Sequence, residues 1–409
     1  MKYTVKDRFL KYVKIDTTAD PYSNTSPSTE KQKDLTKVLM EELAEMGIKS
    51  ETNSSGYVYA RIPGNVDHDT KTVFFCSHID TAYDCSGTDV KPIVHKDYQG
   101  QDIVLPDDTT QVITPDKYPA LTGKTGHDII TASGLTLLGS DDKSGLAIIM
   151  DAAFQLVNNP NLKHGDIAIF FTTDEEIGRG TANVDLNKIN ADFGYTLDGG
   201  ERGHFEAENF SADALKVTIQ GVSAHPGYAK GKMENAIKIA AAIIDRLPKS
   251  NLSPETTNGM EGFVHPNRVE SALEEATIDF IIRDFKTENL TKHEEMVKNI
   301  VKSVLTDYPG STYTFEVRNQ YRNMRDVLDK HPYVEQYALS AMDRVGVEKH
   351  PGSIRGGTDG AMLSHMGLPC PNLFAAEQAI HSKHEWTSVQ DMQAAVDTVV
   401  EICKITAEQ

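Results

Sequence analysis

The stretch DIAIFFTTDEEIG, residues 166–178, runs apolar from 167 to 171 and then sets two carboxylates, Glu175 and Glu176, side by side. A short unbroken apolar run is the mark of a strand buried on both faces, and such strands belong to parallel sheets covered by helices. Similar runs stand on either side of it: YVYARI at 57–62, TVFFCSHI at 72–79 and DFGYTL at 192–197, with KSGLAIIMDAAFQLVNN at 143–159 spaced as a helix between two of them. Strands alternating with helices predict an α/β fold whose mostly parallel sheet is flanked by helices. Helical spacing at 5–14 and 29–46 adds an N-terminal helical layer, and the Ser and Thr of SPSTEKQ, 26–32, are placed to cap its second helix. Residues 86–135 break the rhythm with Gly, Asp, Thr and Pro between short strand-like pieces, which reads as an inserted loop or hairpin region.

From about residue 209 the pattern changes. ALKVTIQG, MENAIKIAAAIIDRL, GFVHPNRVES, ATIDFIIRDF, NLTKHEEMVKNIVKSVL and TYTFEVRNQ succeed one another as strand, helix, strand, strand, helix and strand. That order predicts a ferredoxin-like α+β domain at 209–320, inserted into a first domain made of 1–208 and 321–409. The helical run VQDMQAAVDTVVEICKIT then returns the chain to the first domain.

A chain of 409 residues, 39% of them hydrophobic, has core enough for two domains. Its net charge of -19 repels phosphate backbones and anionic lipid, so neither nucleic acid nor membrane is an expected partner. No run of 18 apolar residues occurs and MKYTVKDRFLKYVKID has no signal-peptide core, which predicts a cytoplasmic protein. Cys76, Cys85, Cys370 and Cys403 form no CxxC pair, and reduced thiols are expected.

The chemical clue lies just beyond each strand-like run. TVFFC leads into His78 and Asp80, LTLLG into Asp141 and Asp142, AIFFTTD into Glu175 and Glu176, FGYTL into Asp198, and NLFAAEQAIHSKHEW carries His381 and His384. Singly, each has an ordinary explanation: a loop hydrogen bond for HxD, a helix dipole for Asp141 and Asp142, a turn for Asp198 before two glycines. Together they put ligand-type side chains after successive strands, at the sheet edge where α/β proteins bind ligands. So many acids at one edge need positive charge, because burial and mutual repulsion both oppose ionisation. Two divalent cations supply it. Nitrogen from His78 and His381 with oxygen from Asp141, Glu176 and Asp198 suits zinc better than magnesium or calcium, and one carboxylate must bridge. Such a pair does hydrolytic chemistry. Glu175, beside a ligand, is then placed to take a proton from water and pass it to a leaving amine, and Asp80 to fix the tautomer of His78. Rival signatures fail: there is no HExxH or GxSxG, and GKT at 123–125 lacks the leading glycine of a phosphate loop, Tyr118 standing there.

Seven segments, SHIDTA at 77–82, LLGSDDKSGLA at 137–147, TTDEEIGRG at 172–180, TLDGG at 196–200, GVSAHPG at 221–227, DFIIRDF at 279–285 and RGGTDG at 355–360, come in an order that resembles the co-catalytic zinc exopeptidases related to carboxypeptidase G and aminoacylase. The resemblance spans the chain and is strongest to the tripeptide aminopeptidases, whose insertion the 86–135 region resembles. It implies two zinc ions per subunit: His78, Asp141 and Asp198 on one, Asp141, Glu176 and His381 on the other, with Asp141 bridging. It further implies Glu175 as general base, Asp80 as the clamp on His78, and a cis peptide after Asp141. Aspartate at 198 fits the aminopeptidase members. The inserted domain resembles the family's lid or dimerisation domain, which leaves open a homodimer through it or a monomer with the same lid. His225 is then expected beside the developing oxyanion, Arg283 and Arg355 on a peptide carboxylate, and Asp359 and Asn267 as secondary contacts. Residues on both domains would make domain closure part of catalysis. The activity implied is removal of the N-terminal residue from short peptides; a dipeptidase or N-acyl amino-acid deacylase would use the same scaffold. A non-catalytic peptide-binding relative is disfavoured because all five ligands and Glu175 are present.

Overall fold

Every residue of strands Val73–His78, Ile167–Thr172 and Phe193–Thr196 is buried in the computed structural model, which describes residues 4–409. These strands are parallel neighbours: Val73–His78 pairs with Ile167–Thr172 on one side and Phe193–Thr196 on the other. Asn372–Leu373 continues the parallel set beside Phe193–Thr196. Antiparallel strands flank this centre, with Lys49–Thr52 and Val58–Ile62 at one end and His204–Asn209 towards the other, in an eight-stranded sheet closed by His350–Ile354. Helices Val5–Tyr12, Ser140–Asn158 and Val389–Ala407 pack together in the same unit, and Ser140–Asn158 lies on Val73–His78. The fold is thus α/β with a mostly parallel centre.

Two compact units divide the chain. The first holds the residues up to Ala207 with Met324–Ser353 and Thr358–Gln409, and the second holds Glu208–Asn323 with Ile354–Gly357. In the second, an antiparallel sheet runs in the order Phe263–Ser271, Glu275–Asp284, Ser211–Gln220, Thr312–Tyr321. Helices Ala236–Asp245 and Thr287–Leu305 cover one face, burying Val217, Ile219, Ile239, Ile278, Phe280 and Val297 between the layers. Strict alternation of burial along Glu275–Asp284 is what a sheet with one covered face requires.

Three sequence expectations need revision. LTLLG at 135–139 is not a strand; Leu138 and Gly139 give their N–H groups to the Glu385 carboxylate, so no ladder is made there. The helix Gln32–Glu45 has no side-chain cap. Ser28 instead accepts from Asp20 N and Gln32 Nε2, and Thr29 donates to the Thr18 carbonyl. Residues 354–357, placed by sequence in the last part of the first domain, group with the second unit, where Phe210 N donates to Ile354 O. The 86–135 region makes strands Ile93–His95 and Ile129–Thr131, a two-stranded ribbon of Ile103–Val104 with Val112–Ile113, and a small core of its own around Tyr98, Leu105, Leu121 and Trp386. All four cysteines are free. Among the described residues no helix is long and apolar enough to cross a membrane.

Candidate metal centre

Strand register brings the acids to one level. His78 is aligned with Thr172 and Cys76 with Thr196, so His78, the Asp174–Glu176 turn and Asp198 all emerge at the same sheet edge. Asp141 comes from the opposite direction, at the head of Ser140–Asn158, where Asp141 and Asp142 have non-helical backbone and the peptide between them is cis. Its Oδ1 lies 2.9 Å from His78 Nε2 and its Oδ2 3.2 Å from His381 Nε2. His381 Nε2 is also 3.1 Å from Glu176 Oε2. Three overlapping donor sets, His78 with Asp141 and Glu176, His78 with Asp142 and Asp198, and Asp141 with Asp198 and Glu377, each have ligand atoms within 4.8 Å of one another.

The local backbone is built to hold these groups. Asp174, in the left-handed region at φ 65, turns the chain out of its strand; its carboxylate accepts from Ser28 N and Gln32 Nε2. Such a conformation in a residue other than glycine persists only when its surroundings fix it. Asp80 accepts N–H bonds of 3.1 Å from both Glu175 and Glu176, one on each carboxylate oxygen. Its relation to His78 differs from the sequence expectation: the ring Nδ1 meets the Asp80 backbone carbonyl at 3.1 Å, and the carboxylate, committed to the glutamate turn, is 3.6 Å away. His381 has a carboxylate on its own Nδ1, Asp84 Oδ2 at 3.2 Å.

Electrostatics show how poorly this cluster stands without cations. Burial pushes the Glu176 carboxyl up to about 8 and Asp198 up to about 7, and drives Glu175 and Glu377 well above the carboxylate range. Asp141 stays below that range despite its burial, through hydrogen bonds with His381 and His78. The bonds to Asp141 and Glu176 carry His381 up to about 11; for His78, burial works against the proton, but Asp141 and Asp80 outweigh it and raise it well above its ordinary value. With no ion bound, protons on the two imidazoles would supply the positive charge that this donor set calls for; as metal ligands both would be neutral, the ions supplying that charge instead. Glu176 Oε1, the oxygen not facing His381, is buried without a hydrogen-bond partner among the described residues. Mixed nitrogen and carboxylate donors with an orphaned oxygen fit a borderline divalent cation.

Sequence reasoning had passed over two acids, Glu377 and Glu385. Both lie in the run NLFAAEQAIHSKHEW, and the rule that found the others, an acid just beyond an apolar run, also points to Glu377. Asp359 lies beside the cluster, accepting at 2.6 Å from Oγ1 of Thr172, the residue in register with His78, and its charge acts on Glu175 and Asp198. Other expected residues are elsewhere. His384 meets the Tyr118 hydroxyl through Nδ1 at 2.7 Å. In the second unit, His225 is exposed and caps the turn Pro226–Tyr228, accepting from Gly227 N, while Asn267 is an exposed strand residue. Arg283 donates to the Arg355 carbonyl, and Arg355 to the carbonyls of Gly259 and Glu261, so both guanidinium groups tie backbone together within that unit. Arg283 Nε remains buried without a partner among the described residues.

Comparison with known proteins agrees with this architecture. Peptidase T of Geobacillus thermodenitrificans (strain NG80-2) is 43% identical over 406 residues, 99% of this chain and 98% of the relative. The chain belongs to the peptidase T family. Residues 207–309 also match the family model described as a peptidase dimerisation domain, which covers most of the second unit. Among solved structures, the aminopeptidase PepT of Bacillus cereus ATCC 10987 superposes with a TM-score of 0.77 at 22% identity, covering 99% of this chain and 98% of that one. The Bacillus subtilis YxeP protein, described as a dinuclear metal-binding peptidase of the M20 family, shares the fold at a TM-score of 0.67 and 15% identity, again over 99% and 98% of the two chains. Peptidase T membership therefore accounts for both units of the fold.

Proposed function

We propose that this chain is a metal-dependent aminopeptidase that releases the N-terminal residue of short peptides, tripeptides foremost, and that it carries two zinc ions per subunit. One observation carries the reading: the two oxygens of the Asp141 carboxylate face two different imidazoles, His78 Nε2 at 2.9 Å and His381 Nε2 at 3.2 Å. A carboxylate so placed is a bridge in waiting. In this reading His78, Asp141 and Asp198 hold one ion, and Asp141, Glu176 and His381 the other. When bound, the pair supplies Lewis acidity and the positive charge that a hydrolytic step at a peptide carbonyl needs.

The chain's own residues do the rest. Glu175 comes directly after the left-handed Asp174 and is fixed by the Asp80 carboxylate through its backbone, while its side-chain oxygens make no hydrogen bond among the described residues. It is free to take a proton from the attacking water and deliver it to the departing amine. Asp80 keeps the glutamate turn and His78 in one frame. Support for tripeptides over a dipeptidase or deacylase comes from the relatives named peptidase T and from the solved structure described as a tripeptidase of Staphylococcus aureus. A homodimer through the second unit belongs to the same proposal and is supported by the dimerisation-domain match. A cytoplasmic location does too; four free thiols suit a reducing compartment.

The test strips the protein with a chelator and reloads it with zinc, assaying a tripeptide, its N-acetylated and C-amidated forms, and a dipeptide. Cleavage of the free tripeptide should vanish on stripping and return on reloading, with the acetylated form resistant. Activity indifferent to the chelator, or equal cleavage of the acetylated peptide, would overturn the reading. Slower cleavage of the amidated form would show that a peptide carboxylate is read.

A further inference from the structure

We infer that Glu385 is a positioning residue for the proposed ion pair, fixing the loop that presents Asp141 against the segment that presents His381. The inference rests on the two-ion reading above. Glu385 is 1% exposed, four residues beyond His381. Its Oε2 accepts from Leu138 N and Gly139 N, both at 2.7 Å, and its Oε1 from Ser140 Oγ at 2.7 Å and Asp141 N at 3.1 Å. Three of the four partners are N–H groups that only donate, and both oxygens are engaged, the cradle that an ionised carboxylate fills.

The need for such a cradle comes from the backbone. Leu138 and Gly139 have no strand neighbour and are buried, so their N–H groups would be unpaired without this carboxylate, whereas Leu137 N is already held by the Ser86 carbonyl. Asp141, at φ -80 and ψ 105, lies outside helical geometry, so the helix after it does not set its direction. Glu385 does, through the Asp141 N–H. On the other side, His381 has φ 58 and belongs to the same short segment as Glu385, whose N donates to Ser382 O. That segment runs into strand Trp386–Ser388, which pairs with Ile129–Thr131, and Trp386 fills the core of the inserted region with Tyr98 and Leu105. The 86–135 insertion thereby acquires a physical role as the footing of Glu385. One carboxylate sets how far the bridging acid stands from the second imidazole, and an ion site tolerates little error in that distance.

The experiment uses the full chain as wild type, E385Q and S140A, stripped with a chelator and titrated with Co2+. The readouts are affinity, stoichiometry and the visible d–d spectrum, with kcat and KM of the zinc-loaded forms beside them. In E385Q an amide nitrogen replaces one acceptor, so Asp141 N or the 138–139 pair loses its partner. Wild type should bind two Co2+ per chain. E385Q should keep its far-ultraviolet circular dichroism, bind Co2+ roughly tenfold or more weakly and show shifted d–d bands. Its kcat should fall while KM stays within about twofold. S140A, which loses a single bond, should fall between. Wild-type affinity and spectrum in E385Q would overturn the positioning role and leave the two-ion reading standing. A wild-type chain that takes up no Co2+ would sink both. Should E385Q fail to fold, S140A decides, and a Co2+ titration and spectrum identical to wild type would overturn the role.

Discussion

Glu175 and Glu176 adjoin in sequence yet have separate surroundings. Glu176 Oε2 reaches His381 at 3.1 Å, whereas Glu175, on the same 3₁₀ turn, lies within the field of His78 and Asp198 but has no side-chain hydrogen-bond partner among the described residues. Ligation and proton transfer therefore separate under mutation. E175Q should lower kcat by about 10²–10⁴-fold while metal analysis still finds the wild-type content; loss of metal in parallel would make Glu175 a ligand instead. The legible and illegible residues divide on the same physical ground. His78, Asp80, Asp141, Glu175, Glu176, Asp198 and His381 could be picked out because each comes after an apolar run, and the fold brings them together. Glu385 could not, since its importance lies in backbone N–H groups of a distant loop, and a backbone donor leaves no letter in the sequence. The carbonyl of Asp80 on His78 is hidden for the same reason.

Among the elements, helix Ser140–Asn158 approaches the strands more closely than a side chain allows. A Cβ at Gly145 would meet the Leu197 carbonyl at 2.0 Å and Asp142 Oδ1 at 2.3 Å, and the residue after Leu197 is Asp198. Alanine would raise helix propensity by about 1 kcal/mol, but overpacking costs typically about 1–3 kcal/mol and sometimes more. Strain should win: G145A should melt lower, by roughly 2–4 °C per kcal/mol, and lose activity as Asp198 is displaced. A variant melting at or above wild type would refute the close approach. In the second unit, burial and the hydrogen-bonded Asp213 carboxylate raise Glu294 to about 7, against the nearby Arg322, which pairs with Asp213 at 2.9 Å. An acid with a raised folded pKa binds its proton more tightly when folded, so its contribution to stability is complete below about 4.5 and fades as pH rises through about 7. Urea unfolding at pH 5, 6 and 7 should show wild type losing stability relative to E294Q across that window; a constant difference would disprove the coupling. Periodicity found the elements of this unit because one covered face imposes alternation. It misread LTLLG, whose Leu137 and Leu138 are buried in a loop, and burial alone cannot tell a loop from a strand.

At the scale of the whole molecule, the insertion was legible because hydrophobic spacing changes near residue 209, while the return of 354–357 to the second unit was not, four residues being too few to carry a period. The division has a thermodynamic consequence. Every proposed metal ligand belongs to the first unit, whereas the second has its own core around Val217, Ile239, Ile278 and Val297. A ligand stabilises only the state that holds its site, by about 2.7 kcal/mol when free ion stands at 100 times its Kd. Scanning calorimetry of the zinc-loaded chain should therefore resolve two transitions, the larger from the first unit because it contains more residues. Adding chelator should lower that larger transition by several degrees, roughly 2–4 °C for each kcal/mol of binding lost, and leave the smaller one where it was. A single transition that moves as a block would mean that the two cores unfold together, and two transitions that both ignore the chelator would place no structural metal in either unit.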